Sequence, residues 1–205
     1  MRQLLGIIIT LALAVGIGVF AVKFFHTSSV PLSQNITQVS ASPSFAATTA
    51  PQQQTTVVTP VRLRIPKLGI DTTIEQVGLD ASGKMDVPSN NTNVAWYKLG
   101  YKPGEKGNAV IDGHLDTVTG APAVFYSLSK LTAGDSVKVD DQNGHTYTFA
   151  VVDKQSFDFD KVPLAKIFGP SDTAYLNLIT CEGVFNSVTK NYSQRVVVYT
   201  KLQQT

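Results

Sequence analysis

The sequence predicts an all-β domain, a closed or nearly closed β-barrel with one or two short helices, that follows an apolar N-terminal segment and a polar linker. Short runs of β-branched and aromatic residues, bounded by Gly, Asn, Asp and Pro, recur from residue 61 onward, and only two short stretches have helical character. No period of about 20–50 residues repeats, which excludes solenoids and propellers. A chain of 205 residues is long enough for one sizeable domain.

Residues 1–25 are predicted to be a membrane anchor. Leu4 to Val22 form a run of 19 uncharged residues between Arg2 and Lys23, a length that suits a helix crossing about 30 Å of hydrocarbon. The alternative is a secretory signal peptide, but its apolar core spans about 7–15 residues and ends at a small-x-small cleavage site, and this segment fits neither feature. The basic N-terminus favours a cytoplasmic start, so we expect a single-pass protein of the cell membrane with an extracellular domain.

Residues 26–60 are predicted to be a disordered polar linker. From Phe24 to Val61 the sequence contains no Lys, Arg, Asp or Glu and is rich in Ser, Thr, Gln, Ala and Pro. Such a composition buries too little apolar surface to offset the loss of chain entropy on folding. We therefore expect a tether that separates the folded domain from the membrane.

Residues 61–205 are predicted to be the folded domain. It opens with VRLRIPKLGI, in which apolar and basic residues alternate with the period of 2 that is typical of a half-buried strand. The pair Asn143-Gly144 lies between two later strand-like runs and predicts a tight hairpin. The later strands are predicted in GNAVIDG, DSVKVDD, HTYTFAVVDKQSF, AYLNLITC and RVVVYTKL, and the helical stretches are APAVFYSLSKL and PLAKIFG.

The charge distribution argues against a nucleic-acid partner. All 15 acidic residues lie at or after Asp71, and 2 of the 17 basic residues precede residue 60, so the predicted domain carries 15 charges of each sign. A protein that binds nucleic acid concentrates Lys and Arg on its folded part. The formal charge of +2 belongs instead to the N-terminus.

Three residues at predicted strand ends have the chemistry of a catalytic site. Cys181 is the only cysteine, so outside the cytosol it has no intramolecular disulfide partner. The 13 residues from Glu182 to Gln194 connect its strand to that of Arg195, and antiparallel pairing of the two strands brings Cys181 and Arg195 together at one rim. His114 directly follows the strand GNAVIDG.

These three side chains are sufficient for acyl transfer. A thiolate attacks a carbonyl carbon, an imidazolium protonates the leaving amine, and a guanidinium with a backbone N–H stabilises the oxyanion. A nearby cation favours the reactive thiolate. The residues alone also allow a structural interpretation, in which Cys181 is a small buried hydrophobe, His114 is a turn residue and Arg195 pairs with a surface acid.

The remaining candidate residues predict no site. His145 lies in the predicted hairpin and His26 in the linker, and we expect both to be solvated. The spacing of Asp153, Asp158 and Asp160 differs from the Asp-x-Asp-x-Asp-Gly loop of an EF-hand, so a solvated face is expected there rather than a calcium site.

Taken together, the motifs resemble those of the sortase family. LNLITCEG is similar to the Thr-Leu-x-Thr-Cys signature, with Asn177 in place of the first Thr. GHLDT resembles the segment of the catalytic histidine and SQRVVVYTKL the arginine strand, and the order of the three is the same. The resemblance covers most of residues 61–205, and the stretch AWYKLGYKPGEKGNAVIDGHLDTVTG is most similar to the class F and class E branch.

This resemblance implies an eight-stranded barrel and a cysteine transpeptidase that cleaves a Leu-Pro-x-Thr-Gly-type sorting signal between Thr and Gly. By position, Cys181 is the nucleophile, His114 the general acid and base, Arg195 the stabiliser of the oxyanion or substrate, and Thr180 helps to orient the signal. The partners it implies are secreted proteins that bear the signal and an amine acceptor such as a peptidoglycan precursor; it implies no cofactor and no metal. A cysteine hydrolase on the same barrel and a catalytically silent anchored binding domain are the competing interpretations.

Overall fold

A computed structural model describes residues 58–203. The predicted anchor at residues 4–22 and most of the predicted linker lie outside the described residues. No helix between residues 58 and 203 combines the length and the apolar character that a membrane span requires.

The described part of the chain consists of eight strands and very little helix, which confirms the predicted all-β class. The helical elements are single turns of 3-10 helix at Pro66–Leu68 and Leu128–Lys130 and one α-helix, α1, at Leu164–Phe168. The strands are β1 (Pro60–Ile65), β2 (Ile70–Val77), β3 (Val94–Tyr97), β4 (Gly107–Gly113), β5 (Ser136–Asp141), β6 (Thr146–Asp158), β7 (Ala174–Asn186) and β8 (Asn191–Leu202).

The eight strands close into a barrel in the order β1-β2-β3-β4-β7-β8-β6-β5, with β5 returning to β1. The pairs β2–β3 and β4–β7 are parallel, and all the other pairs of neighbouring strands are antiparallel. Because β4 and β7 run in the same direction, their C-terminal ends lie side by side. This pairing brings the residues after β4 close to the second half of β7.

Alternating side chains of the strands fill the barrel and cover part of its outer face. Ile111 of β4, Leu178 of β7 and Val196 of β8 belong to the interior core. A smaller apolar cluster on the outside packs beneath α1 and includes Val110 and Val197. Side chains that alternate with the interior core on β4, β7 and β8 therefore share the outer face on which the candidate site lies.

Two of the local predictions are confirmed. Asn143-Gly144 forms the turn between β5 and β6, and Gly144 adopts the left-handed conformation that the turn requires, with φ of +82°. The Asp141 carboxylate accepts hydrogen bonds from the backbone N–H groups of Asn143 and His145, which fix the turn. The stretch PLAKIFG contains the predicted helix.

Two other local predictions are wrong. The stretch APAVFYSLSKL is not a helix but a series of turns with one 3-10 turn, and these turns bury Phe125 and Leu128 in the core of the barrel. The connection of 13 residues from Glu182 to Gln194 is mostly strand, since β7 and β8 continue as a long hairpin and only residues 187–190 form its turn. Cys181 and Arg195 are therefore within long strands and not at strand ends.

Candidate active site

Cys181 and Arg195 are direct cross-strand partners. The register of β7 and β8 places Cys181 opposite Arg195, as the antiparallel prediction required. Both side chains alternate with interior residues, Thr180 and Val196, and so emerge on the outer face of the barrel. Partners on antiparallel strands have their Cβ atoms about 4.5–5.5 Å apart, which keeps the guanidinium within reach of the thiol and of any group bound to it.

His114 lies on the other side of Cys181. The last pair in the parallel register of β4 and β7 is Asp112 with Ile179, and one further step along both strands places Gly113 beside Thr180. The Thr180 hydroxyl donates a hydrogen bond of 2.6 Å to the Gly113 carbonyl and so fixes this alignment. Cys181 is the next residue of β7, and His114 is the first residue after β4, which runs about 4.8 Å from β7. The structure thus brings Cys181 of β7 and Arg195 of β8 together with His114 at the end of β4.

The His114 ring has a defined tautomer. Its Nε2 atom lies 3.0 Å from the carbonyl oxygen of Pro88. A carbonyl oxygen only accepts hydrogen bonds, so Nε2 carries a proton and donates it. In the neutral ring Nδ1 is then the nitrogen with a free lone pair, which makes it the atom that accepts and returns protons.

The guanidinium of Arg195 is held by its own hairpin. Nη1 donates to the carbonyl oxygens of Tyr192 and Gln194, at 3.3 and 2.9 Å, and Nη2 donates to Oδ1 of Asn191 at 2.6 Å. These contacts use three of the five N–H groups of an arginine. The two that remain, on Nε and Nη2, are suited to one oxygen of a substrate.

The Cys181 thiol is protonated in its resting environment. Partial burial raises its pKa, and the charge of Arg195 acts in the opposite direction, while Asp112 and Asp116 raise it further. The guanidinium of Arg195 lowers the thiol pKa, as expected, but burial and the two carboxylates together raise it by more. Cys181 therefore needs a base to accept its proton as it reacts.

Three residues near the thiol were not predicted from the sequence. Burial raises the pKa of Asp112 on β4 to about 6, against the opposing charges of His114 and Arg195. Asp116 accepts a short hydrogen bond from the Tyr192 hydroxyl, a contact that ties the loop after His114 to the start of β8 and helps to raise the Tyr192 pKa to about 12. Two acidic residues beside His114 in IDGHLD are visible in the sequence, but nothing there indicates that one of them contacts Tyr192.

Thr180 and Asn177 have structural contacts in the described fold. Thr180 is 1% exposed, and its hydroxyl is engaged with Gly113, so its predicted role in orienting the signal stays a prediction. Asn177 is fully buried and donates to Oδ1 of Asn108 and to the carbonyl of Ile167 in α1. Asn177, the residue at which the sequence departs from the signature, thus anchors α1 to the barrel and does not contact the thiol.

The other sequence candidates lie elsewhere. The His145 side chain is 62% exposed and contacts Asp141, as expected of a solvated turn residue, and His26 lies outside the described residues. Asp158 pairs with Lys161. Between residues 58 and 203 no three His, Cys, Asp or Glu side chains are grouped so that they could hold a metal ion.

A surface depression of about 580 Å³ lies beside the site rather than in it. It is formed by the start of β2, residues 91–93 and the loop after His114, and Cys181 does not line it. Cys181 and Arg195 lie instead on the outer face of β7 and β8, where both side chains are partly buried.

Comparison with known proteins places the fold in a family. The sortase domain family model matches residues 63–203. This match contains all three candidate residues. No curated protein matches the chain.

Solved sortase structures share this fold. Sortase C-1 from Actinomyces oris has a TM-score of 0.56 at 20% identity, over 71% of this chain and 72% of that one. Sortase A from Listeria monocytogenes has a TM-score of 0.54 at 18% identity, over 72% and 88%. A sortase D5 transpeptidase from Clostridium perfringens has a TM-score of 0.54 at 20% identity, over 71% and 79%. At these identities the likeness concerns the barrel, and the assignment to class F or class E stays a prediction.

Proposed function

Because the chain belongs to the sortase family of cysteine transpeptidases, we propose that it cleaves a Leu-Pro-x-Thr-Gly-type sorting signal and transfers the acyl group to an amine of the cell wall. The acyl donor is a secreted protein that bears the signal, and the acceptor is an amine such as that of a peptidoglycan precursor. The observation that carries the proposal is the position of Cys181, between Arg195 as its cross-strand partner and the strand that leads to His114.

The first half of the reaction forms a thioester. The sulfur of Cys181 attacks the carbonyl carbon of the Thr–Gly bond while the thiol proton passes to Nδ1 of His114. The free N–H groups of Arg195 stabilise the oxyanion that develops on the carbonyl oxygen. When the C–N bond breaks, His114 returns the proton to the departing amine, so the Gly-side fragment leaves as a neutral amine and the Thr-side fragment stays on sulfur.

The second half reverses these roles. The acceptor amine attacks the thioester carbon, and His114 removes a proton from the attacking nitrogen. Collapse of the second oxyanion breaks the C–S bond and forms a new amide bond, and the sulfur recovers its proton from His114. Atoms and charge balance over the two steps, and no cofactor takes part.

We further propose that residues 4–22 anchor the enzyme in the cell membrane with its catalytic domain outside. The apolar run of 19 residues and the uncharged linker that follows it support this arrangement. Labelling intact cells with a reagent that does not cross the membrane, directed at lysines of residues 61–205, tests the orientation. Protection of these lysines until the cells are lysed would contradict it.

A peptide substrate tests the reaction itself. The full-length chain is incubated with a peptide that contains Leu-Pro-x-Thr-Gly, with and without an added amine, and the products are separated by mass. Transfer of the Thr-side fragment to the amine supports the transpeptidase. Cleavage that yields only the free acid, whatever the amine concentration, would indicate a cysteine hydrolase, and no cleavage would indicate a silent binding domain.

A further inference from the structure

Glu75 lies on β2 and holds the connection that leads from β2 to β3. Its carboxylate accepts four hydrogen bonds from that connection: from the backbone N–H and the hydroxyl of Ser89, both at 2.9 Å, from Nδ2 of Asn90 at 3.2 Å and from Nδ2 of Asn93 at 2.7 Å. We call Glu75 with these three residues the Glu75 clamp. Asn90 stiffens it further, since its Oδ1 accepts from the backbone N–H groups of Thr92 and Asn93.

The Glu75 clamp ends next to the residue that contacts the candidate histidine. Pro88, whose carbonyl accepts from Nε2 of His114, directly precedes Ser89, the residue with two bonds to Glu75. The hydrogen bond from the Ser89 N–H is the main cause that lowers the pKa of the Glu75 carboxyl, and the positive charge of His114 lowers it further. Glu75 is therefore ionised at neutral pH, and it is close to His114 without a hydrogen bond to it.

From this geometry we infer that Glu75 is a positioning residue for His114: through Ser89 it fixes the Pro88 carbonyl, which in turn fixes the ring orientation and keeps the proton on Nε2. The mechanism needs Nδ1, and not Nε2, to face the thiol and the leaving amine. A backbone carbonyl in a loop holds a ring only as firmly as the loop itself is held. The carboxylate, which sits on a barrel strand, supplies that support.

The clamp predicts a specific response to Glu75→Gln. A glutamine amide has one acceptor oxygen in place of two. Its NH₂ group can only donate, and it would face N–H or O–H groups of Ser89, Asn90 and Asn93 that also donate. Residues 88–93 are then held less firmly to β2, because the bond from the Thr72 hydroxyl to the Thr92 carbonyl remains but those to the Glu75 carboxylate are weakened, and the Pro88 carbonyl is no longer a fixed acceptor for His114. A misplaced general acid and base lowers the rate of the chemical steps more than the binding of the peptide. We expect kcat to fall by about tenfold or more and KM for the peptide to change less than about twofold.

Asp80→Asn is the matched control. The Asp80 carboxylate accepts three hydrogen bonds, from the N–H and hydroxyl of Ser82 and from the N–H of Lys84, and it stabilises another turn of the same β2–β3 connection. No residue of that turn contacts His114 among the hydrogen bonds of residues 58–203. We therefore expect Asp80→Asn to leave kcat within about twofold of wild type.

A direct measurement of the ring separates positioning from general loss of structure. The chain has three histidines, so the full-length protein labelled with ¹⁵N-histidine gives few signals, and His114→Ala identifies the one from His114. Wild type and Asp80→Asn are expected to show an Nε2–H proton of His114 that exchanges slowly with water because Pro88 accepts it. In Glu75→Gln that proton is expected to exchange rapidly.

The proposal is overturned if Glu75→Gln keeps the protected Nε2–H proton, or if Asp80→Asn loses it equally. Should Glu75→Gln fail to fold, Asn93→Ala, which removes the shortest of the four contacts, takes its place, and a wild-type proton signal in that variant overturns the proposal. The kcat comparison rests on the proposed function, but the spectrum does not. If the chain fails to act on the sorting peptide, the proposed function is refuted. The spectrum of the His114 ring would still show whether the Glu75 clamp holds His114.

Discussion

Replacement of Arg195 by lysine is expected to remove nearly as much activity as replacement by alanine, although lysine keeps the positive charge. The reason lies in the number of donors. Three protein oxygens, on Tyr192, Gln194 and Asn191, already accept hydrogen bonds from the side chain of residue 195. An ammonium has three N–H groups, so these acceptors can occupy all of them, whereas a guanidinium has five and keeps two for the substrate.

The magnitude follows from this count. Loss of one oxyanion donor typically lowers the rate by about 10²–10³. Arg195→Ala removes both free donors, and Arg195→Lys leaves an ammonium that the hairpin oxygens retain. We therefore expect kcat/KM for the sorting peptide to fall by at least about 10² in both variants, with less than about tenfold between them.

Alkylation of Cys181 by a small neutral reagent is the companion assay, because that reaction develops no oxyanion. Arg195 lowers the thiol pKa by its charge, so Arg195→Ala is expected to slow alkylation at neutral pH and Arg195→Lys to slow it less. Arg62→Lys is the control, since Arg62 makes a two-point contact with Asp71 on β1 and β2, strands that are not neighbours of β7 or β8 in the barrel. If Arg195→Lys keeps most of the peptide activity, charge alone is sufficient and the donor argument is wrong. If alkylation collapses in parallel with catalysis, Arg195 acts mainly on the thiol.

Four further predictions concern neighbouring residues. Cys181→Ala abolishes turnover yet changes Tm by no more than about 2–4 °C, since a small half-buried group costs at most about 1 kcal/mol, and a variant that unfolds would support the structural interpretation. His114→Ala lowers kcat/KM by at least about 10²-fold whereas His145→Ala, on a ring that is 62% exposed, changes it less than about twofold; equal losses would remove His114 from the mechanism. Asp112→Asn speeds alkylation of Cys181 above pH 6, where the Asp112 carboxylate is ionised and raises the thiol pKa, and the difference from wild type vanishes below its pKa of about 6; a difference that persists in acid would contradict this. Asn177→Ala lowers the free energy of unfolding by about 1–3 kcal/mol in a denaturant titration, because two buried hydrogen bonds are lost, and an unchanged midpoint would show that the contacts are idle.

Local patterns in the sequence were sufficient to predict most of the strands. The alternation in VRLRI, the apolar run AYLNLITC and the pair Asn143-Gly144 each specify local backbone geometry through nearby residues, and each element was predicted with its correct type. Two strands, β2 and β3, were not predicted. The four residues of β3 are too few to show a period, and the apolar residues of β2, at Ile70, Ile74 and Val77, do not alternate strictly. The helix predicted in APAVFYSLSKL is wrong because its apolar residues meet a tertiary core rather than one another.

The candidate residues of the site were chosen from the sequence, but their contacts could not be predicted from it. Connectivity alone indicated that Cys181 pairs with Arg195, since two successive antiparallel strands allow few registers. The parallel pairing of β4 with β7, which places the end of β4 beside the middle of β7, joins strands distant in the sequence and was not predicted; only the role of His114 came from the resemblance to a family. The hydrogen bonds between Pro88 and His114 and between Tyr192 and Asp116 join segments that are distant in the sequence, and no local pattern in either segment indicates its partner.

The central claim is that Cys181 carries the acyl group between two amines. Intact mass spectrometry of the full-length chain, after brief incubation with the sorting peptide and no added amine, tests it most directly. We predict a species that is heavier than the protein by the mass of the Thr-side acyl fragment. This species is expected to disappear when an amine is added and to be absent from Cys181→Ala and from wild type treated with hydroxylamine. An adduct that persists in Cys181→Ala, or turnover of the peptide without any adduct on Cys181 under conditions that trap thioesters, would contradict the account.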